Sequence, residues 1–382
     1  MAAYWERACR ESPVSWHPQG KSGFWVVSGY EQATSVYRDS AAFTSERGNV
    51  LATLLNGGDS AGGQMLAISD GARHREIRQR LMRAFTPAAL ASIEARITGE
   101  IDRLVGECAA RGGGDFVADV AARIPMAAVC DMFGIAESDR AELLQYTSSA
   151  LSSDRPDATE LQAKVARNQI LLYFQRLTKQ NQARSPDSLL GLLQEMMRPP
   201  LRLTQGELLL NCYSLLLGGD ETTRLAMTGS VKALMEWPDQ WRRLVSGEVG
   251  VDSAVDELLR WTSPAMHGGR VATRDRELGG YSIAAGQIVT VWNIAANFDP
   301  ARFANPAALD LGRAPNLHLT FAFGPHTCLG ARLARIELKG LLRALVRHAG
   351  RIHPAGPALP VYSNFLHGYS RLPITFTSGG AQ

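Results

Sequence analysis

The sequence predicts a mainly α-helical fold with small β-sheets. Helical periodicity runs through three long stretches: His74 to about Ala109, 117–195 and 204–237. Runs with strand character are few and short, and no fixed-period repeat or low-complexity tract competes with this reading.

In chain order, GFWVVSG around Trp25 predicts a short strand, and YEQATSVYRD after it a helix. Residues 48–70, rich in Gly, Ser and Asn, predict a long loop, a feature that compact domains keep mostly for function. The helical stretch from His74 breaks near Thr86-Pro87. Within 117–195, SDRPD at 153–157 and QARSPDS at 182–188 predict breaks between helices. The stretch from 204 opens on Thr-Gln-Gly-Glu, a capping box in which Thr204 and Glu207 satisfy each other's backbone N–H groups. It stops at Trp237-Pro238, where proline cannot continue a helix. Short strands are expected near 269–273, near 287–292 and in the C-terminal tail, with irregular chain until a last helix beside Cys328.

The 382 residues show no linker or composition shift, and a single domain over 1–382 is expected. A net charge of +3 is too small to argue for nucleic acid. The cysteines Cys9, Cys108, Cys130, Cys212 and Cys328 are odd in number, widely spaced and free of any CxxC, against a disulfide framework or a zinc site. The N-terminus lacks the apolar core of a signal peptide, and the most apolar window, Leu208–Gly219, is too short to span a membrane. A soluble, cytoplasmic monomer is the expectation.

Two segments stand out chemically. The first is GGDETT, Gly218 to Thr223, inside the long helix. Adjacent glycines there cost roughly 1 kcal/mol each relative to Ala. They fit either a close helix crossing or a groove in which a small molecule lies against the backbone beside a carboxylate and a hydroxyl. The second is FAFGPHTCLGARLARIEL, Phe321 to Leu338, with Cys328 in a turn ahead of a helix. Four readings compete: an inert buried thiol, the commonest fate of a free Cys; a nucleophile with His326, which sits only two residues away and in no strand–elbow–helix motif; a zinc ligand, which lacks companions; and a single thiolate ligand to heme iron, which needs no second cysteine. The last needs small residues beside the sulfur and N–H groups to temper its charge, which Gly324, Gly330 and the following helix start supply.

The spacing F-x-x-G-x-x-x-C-x-G, here Phe321, Gly324, Cys328 and Gly330, resembles the heme-binding signature of the cytochrome P450 family. GGDETT resembles the family's oxygen-activating segment, and DELLR carries an E-x-x-R pair, Glu257 and Arg260, at the family's place between the two. The resemblance covers about Gly23 to the last helix and is of the soluble bacterial type. Phe298 stands where the family often has a basic residue, and Gly218 where Ala is common.

The resemblance implies the P450 fold, with heme b between the long central helix and the cysteine-turn helix. It implies Cys328 as the metal ligand and His74, Arg78, Arg270 and His326 around the heme propionates, with Phe321 and Gly330 beside the cofactor. It assigns Glu221 as the acid and Thr222 as the alcohol of proton delivery, and Arg302 as third member of a structural Glu-Arg-Arg cluster. For the substrate pocket it implies the 48–70 loop, Tyr213, Ser214, Leu217 and Gly218, the turn Ala265-Met266-His267-Gly268, and the tail around Phe365, Leu366 and His367. His267 and His367 either touch substrate or face solvent.

The implied activity is a monooxygenase oxidising a small organic molecule by hydroxylation, epoxidation or oxidative coupling, in bacterial secondary metabolism. It would use O2 and two electrons from NAD(P)H through ferredoxin and ferredoxin reductase, because no dinucleotide-binding fingerprint is present. The cations of RHREIRQRLMR (Arg73, Arg75, Arg80, Arg83) and GARLARIELK (Arg332, Arg335, Lys339) would dock the acidic ferredoxin. Against the alternative of a heme-binding carrier or sensor stands the retention of Glu221 and Thr222, which a mere binder does not need. The same pair counts, less strongly, against an enzyme of this fold that uses peroxide or rearranges its substrate.

Overall fold

The computed structural model describes residues 2–20, 22–151, 160–180 and 185–377. The break expected at 153–157 lies outside them, as do residues 182–184. Helix α1 (Ala2–Glu11) leads into β1 (Val14–Gln19), β2 (Ser22–Val27) and α2 (Tyr30–Arg38), then β3 (Phe43–Thr44). The 48–70 stretch is not a bare loop. It holds α3 (Leu51–Leu55) and a 3-10 turn at Leu66–Ile68, where the apolar residues Leu51, Leu54, Leu66 and Ile68 are buried. Its Gly and Ser content hid those short apolar anchors.

Next come α4 (Gly71–Leu81), α5 (Pro87–Ala110), β4 (Gly113–Asp115), α6 (Arg123–Phe133), α7 (Arg140–Leu151), α8 (Glu160–Lys179) and α9 (Leu189–Met196). The break at Thr86-Pro87 is where Thr86 caps α5, accepting from the Ala89 N–H, with proline in the first turn that needs no N–H. Helix α10 (Gln205–Glu236) has the capping box of Thr204 and Glu207 and runs unbroken through both glycines. Then follow α11 (Pro238–Val245), α12 (Val251–Thr262), β5 (Gly268–Ala272), the hairpin β6 (Arg276–Leu278) and β7 (Tyr281–Ile283), β8 (Ile288–Val291) and α13 (Asn293–Ala296). The hairpin and α13 replace part of the irregular chain expected there. Helix α14 (Ala331–His348) and strands β9 (Arg351–Pro354), β10 (Leu359–Pro360), β11 (Tyr369–Arg371) and β12 (Pro373–Thr377) complete the chain.

The main sheet has the order β1-β2-β8-β5-β3, and a second joins β4-β12-β9. The largest apolar core gathers α5, α6, α9, α10, α12 and α14, while a smaller one seals α2 against the main sheet. Helix α10 crosses the large core, so its middle turn reaches the centre of the molecule.

Glu257 and Arg260, one turn apart on α12, are both fully buried. Arg260 Nε and Nη2 donate to the two Glu257 oxygens at 2.7 and 2.8 Å, and Nη1 to the Asn297 carbonyl at 2.7 Å. The third member of this cluster is Arg313, whose Nε donates to Glu257 Oε2 at 3.0 Å. Arg302, expected in that role, is exposed and lies over the Tyr30 ring at 5.2 Å. The Asp299 turn carries Arg302 outward, whereas the chain returns past Glu257 through Asp310 and Arg313. Phe298, the departure noted in the sequence, is buried with its ring 5.2 Å from the Arg260 guanidinium. It covers the cation with an aromatic face.

Candidate active site

Between α10 and the turn before α14 lies a cavity of ≈ 340 Å³. Cys328 lines it and is exposed only in the sense that its surface opens into this interior space. The turn is built for that. The Cys328 N–H donates to the Phe321 carbonyl at 2.8 Å, and Ala322 and Gly324 take left-handed φ values of 56° and 71°. A Cβ on Gly324 would stand 2.6 Å from the Tyr37 carbonyl oxygen, so only glycine fits. Burial raises the Cys328 thiol pKa, and the Gly330 N–H, Arg78 and Arg335 pull it back towards the thiolate.

One end of the cavity is cationic. Arg270 is buried, its Nη1 donates to the Gly269 carbonyl at 2.7 Å, and its guanidinium sits 5.3 Å from the Tyr37 ring centre. Neither Arg270 nor Arg78 has a carboxylate partner among the described residues. His74 is buried with Nε2 unpartnered, and burial pushes its pKa down to about 4. His326 stacks on His74 with centroids 4.3 Å apart, and its Nε2 faces Asp70 Oδ1 at 2.8 Å. His326 is therefore already paired within the protein. Burial raises the Asp70 pKa, but hydrogen bonds from His326, Thr44 and the Ser45 N–H outweigh it and hold it at about 2.

Buried cations without anions are costly. A thiol, two unpaired guanidiniums and an orphaned imidazole around one cavity fit a flat metal macrocycle with two carboxylates, so the residues present suit heme. Phe321 and Gly330 also line the space.

Helix α10 supplies the opposite wall through Ser214, Leu215, Gly218, Gly219, Thr222 and Thr223. The two glycines divide the readings that the sequence left open. A Cβ on Gly218 would meet nothing within 4 Å, so this glycine opens the groove, whereas one on Gly219 would stand 2.9 Å from Val129 Cγ2, so this one permits the close approach of α6. The Thr222 hydroxyl donates to the Gly218 carbonyl at 3.2 Å. Glu221 is buried and salt-bridged to Arg224, with Nε to Oε2 at 3.0 Å, and does not line the cavity.

Of the other expected pocket residues, Ala265, His267 and Phe365 line the cavity, and Tyr213, Leu217 and Met266 do not. Helical phase explains the first two, since the lining stripe of α10 runs through 214, 215, 218 and 222. Tyr213 lies beneath the Arg167 guanidinium at 5.6 Å, Leu217 joins the large core, and Met266 is engaged through its backbone with Phe365 and Ile294. His267 Nε2 accepts the Leu51 N–H at 3.1 Å and is buried, whereas His367 Nδ1 meets the Thr262 carbonyl at 2.7 Å. His367 is thus half-buried and does not line the cavity.

The sequence reading missed Tyr37, Asn293 and Glu337, all of which line the cavity. Glu337 is buried with Oε2 unpartnered, and burial first, then Asp220, raises its pKa well above the carboxylate range. No local signal in the sequence marked it.

A family model described as Cytochrome P450 matches residues 3–134 and 251–349. The chain belongs to the cytochrome P450 family. It is 42% identical over 374 residues to Cytochrome P450 NovI of Streptomyces niveus, covering 98% of this chain and 90% of that one. It is 30% identical to a Steroid C26-monooxygenase of Rhodococcus jostii, covering 97% and 81%. Among solved structures, P450 OxyD superposes with a TM-score of 0.86 at 34% identity, covering 99% of this chain and 96% of that one. This P450 is thus an oxidoreductase of the monooxygenase type, and its family implies heme. Among the described residues no helix is long and apolar enough to cross a membrane.

Proposed function

We propose that this P450 inserts one oxygen atom from O2 into a small organic molecule held against α10, with heme b ligated by Cys328. The observation that carries the reading is the convergence of the Cys328 thiol, Arg78, Arg270 and His74 on one cavity. Arg78, Arg270 and His74 would pair the propionates, and the other edge of His326 would stand beside them. When bound, heme supplies dioxygen binding and activation, with the thiolate donating electron density. The protein's part is position, dryness and proton supply.

Thr222 holds the proton-delivery position beside the groove that Gly218 opens. Its hydroxyl exchanges the Gly218 carbonyl for water or bound ligand. Glu221 would have to leave Arg224 to carry protons, and Glu337, neutral and bordering the cavity, is a second store. Residues of α3 and its flanks, Ala265, His267 and Phe365 would shape the substrate side. The segment 1–382 would act as one domain.

Bacterial secondary metabolism is the proposed setting, because OxyD is described as involved in the biosynthesis of vancomycin-type antibiotics. Electrons would come from NAD(P)H through a ferredoxin reductase and a ferredoxin. Most of the basic residues expected to dock that ferredoxin are neutralised within the fold. Arg73 pairs with Glu207, Arg80 and Arg83 with Glu195, Arg335 with Asp256 and Lys339 with Asp252. Arg75 and Arg332 are exposed with no such partner among the described residues, and they carry the proposed docking.

The test is turnover with ferredoxin, its reductase and heavy-oxygen-labelled O2, after substrates have been found by their shift of the heme Soret band. One labelled oxygen atom in the product supports the reading. Product oxygen drawn wholly from water, or turnover independent of electron supply, overturns it.

A further inference from the structure

The N-terminal helix α1 brings Tyr4 and Trp5 onto the molecule, and the oxidation chemistry proposed above gives them no role. They start a continuous row of rings. Tyr4 meets Trp5 with centroids 4.9 Å apart, and Trp5 meets Trp292 at 5.6 Å. Trp292 meets His267 at 5.0 Å, and His267 meets Phe365 at 5.3 Å. His267 and Phe365 line the cavity, whereas Tyr4 is 58% exposed. The row therefore joins the reaction space to solvent. Its outer half is held in place, because the Cys9 thiol of α1 donates to the Ser28 and Ala295 carbonyls at 3.2 and 3.3 Å.

We propose that this row exports oxidising equivalents from the cavity to Tyr4 and so protects the enzyme when oxygen is activated with no substrate in reach. The proposal rests on the heme monooxygenase reading. The chemistry of each ring suits its place. Phe365 and neutral His267 are hard to oxidise, so they serve as a packed bridge over which an electron tunnels from Trp292 to the cavity. Trp292 and Trp5 are the oxidisable stops. The Trp292 Nε1–H donates only to the Thr290 hydroxyl, a poor base, at 3.0 Å, and the Trp5 Nε1–H is buried without an acceptor. Neither indole can readily shed its proton when oxidised, so the hole stays mobile. Tyr4 differs, since its exposed phenol gives its proton to water and traps the hole at the surface.

With a peroxide as oxidant, one ROOH takes two electrons and two protons to give ROH and water. Two passes supply them, each costing a Tyr4 phenol one electron and one proton, and a thiol reductant in solution restores each tyrosyl radical.

A second aromatic cluster provides the control. Trp237, Trp261 and Phe298 contact one another at 5.7 and 5.5 Å, but none of their rings lines the cavity. In the test, substrate-free heme-loaded protein is treated with cumene hydroperoxide and a nitroso spin trap. Trapped sites are mapped by peptide mass spectrometry while the Soret band is followed. The wild type should carry the adduct on Tyr4. Tyr4→Phe and Trp5→Phe should lose that adduct and bleach several-fold faster, and Trp237→Phe should match the wild type. Tyr4→Phe alters only an exposed side chain, so its result does not hinge on folding. A normal Soret band with no adduct on Tyr4, or equal bleaching in all four proteins, overturns the relay alone. A protein without a Soret band overturns the heme reading and the relay with it.

Discussion

At the scale of single residues, the chemistry depends on which side chains are left without partners. Thr222→Ala removes the one α10 hydroxyl that both borders the cavity and answers the Gly218 carbonyl. Heme and substrate binding should persist, while less of the consumed O2 appears in product and more as peroxide. An unchanged product yield per NAD(P)H would take Thr222 out of proton delivery. That Cys328, Thr222 and Arg270 would meet at one cavity was legible through the family resemblance, which each enters by a short local motif. Arg313 was not, because the third cation of the Glu257 cluster arrives from a loop 56 positions along, the same irregular stretch that carries Arg302. Local spacing ranks neither above the other. Glu337 was hidden by its setting, as an acid on a charged helix ordinarily faces water.

At the scale of elements, helix α10 gives the sharpest contrast. Gly218→Ala places a methyl group in open space and gains roughly 1 kcal/mol of helix propensity. It should raise the thermal midpoint and narrow the groove, so that the largest accepted ligands bind less tightly. Gly219→Ala drives a methyl group to within 2.9 Å of Val129 Cγ2 and should lower the midpoint despite the same propensity gain. Equal shifts in the two variants would show that α6 yields. The sequence displayed the paired glycines but not their division of labour, which depends on which helix lies behind each one. Helix limits such as Thr86-Pro87 and Thr204 to Trp237 were legible because capping chemistry is local. The short helix α3 was not, because five residues carry too little periodicity.

At the scale of the whole molecule, the buried Glu257 cluster joins α12 to the chain that leads into the cysteine turn. Glu257→Ala strands Arg260 and Arg313 and should cost about 3–5 kcal/mol, a large share of a stability of roughly 5–15 kcal/mol. Poor expression and loss of cooperative melting are expected, and native melting would refute the cluster's structural role.

Acid should weaken the fold through its buried histidines. Burial lowers the pKa of His267 to about 4, and lowers those of His318 and His367. The unfolded chain binds more protons than the native one between the ordinary 6.5 and about 4, so stability falls as pH drops through that window. His267→Gln should flatten part of that slope in melting curves, and an unaltered slope would mean that His267 does not contribute.

The docking proposal is also tested on the intact molecule. Reduction by ferredoxin should slow as salt rises, since rim charges are screened over about 8 Å at physiological strength. Arg332→Glu should slow it at low salt without changing substrate affinity, and a rate indifferent to both would remove the acidic partner.

The proposed function stands on Cys328 holding a heme through its thiolate in the cavity walled by α10. The reduced carbon monoxide difference spectrum measures this most directly. The wild type should show the red-shifted Soret band of thiolate ligation, and Cys328→Ser should fold but lose it. A wild-type protein that takes up no heme, or one whose spectrum is that of histidine ligation, would contradict the claim.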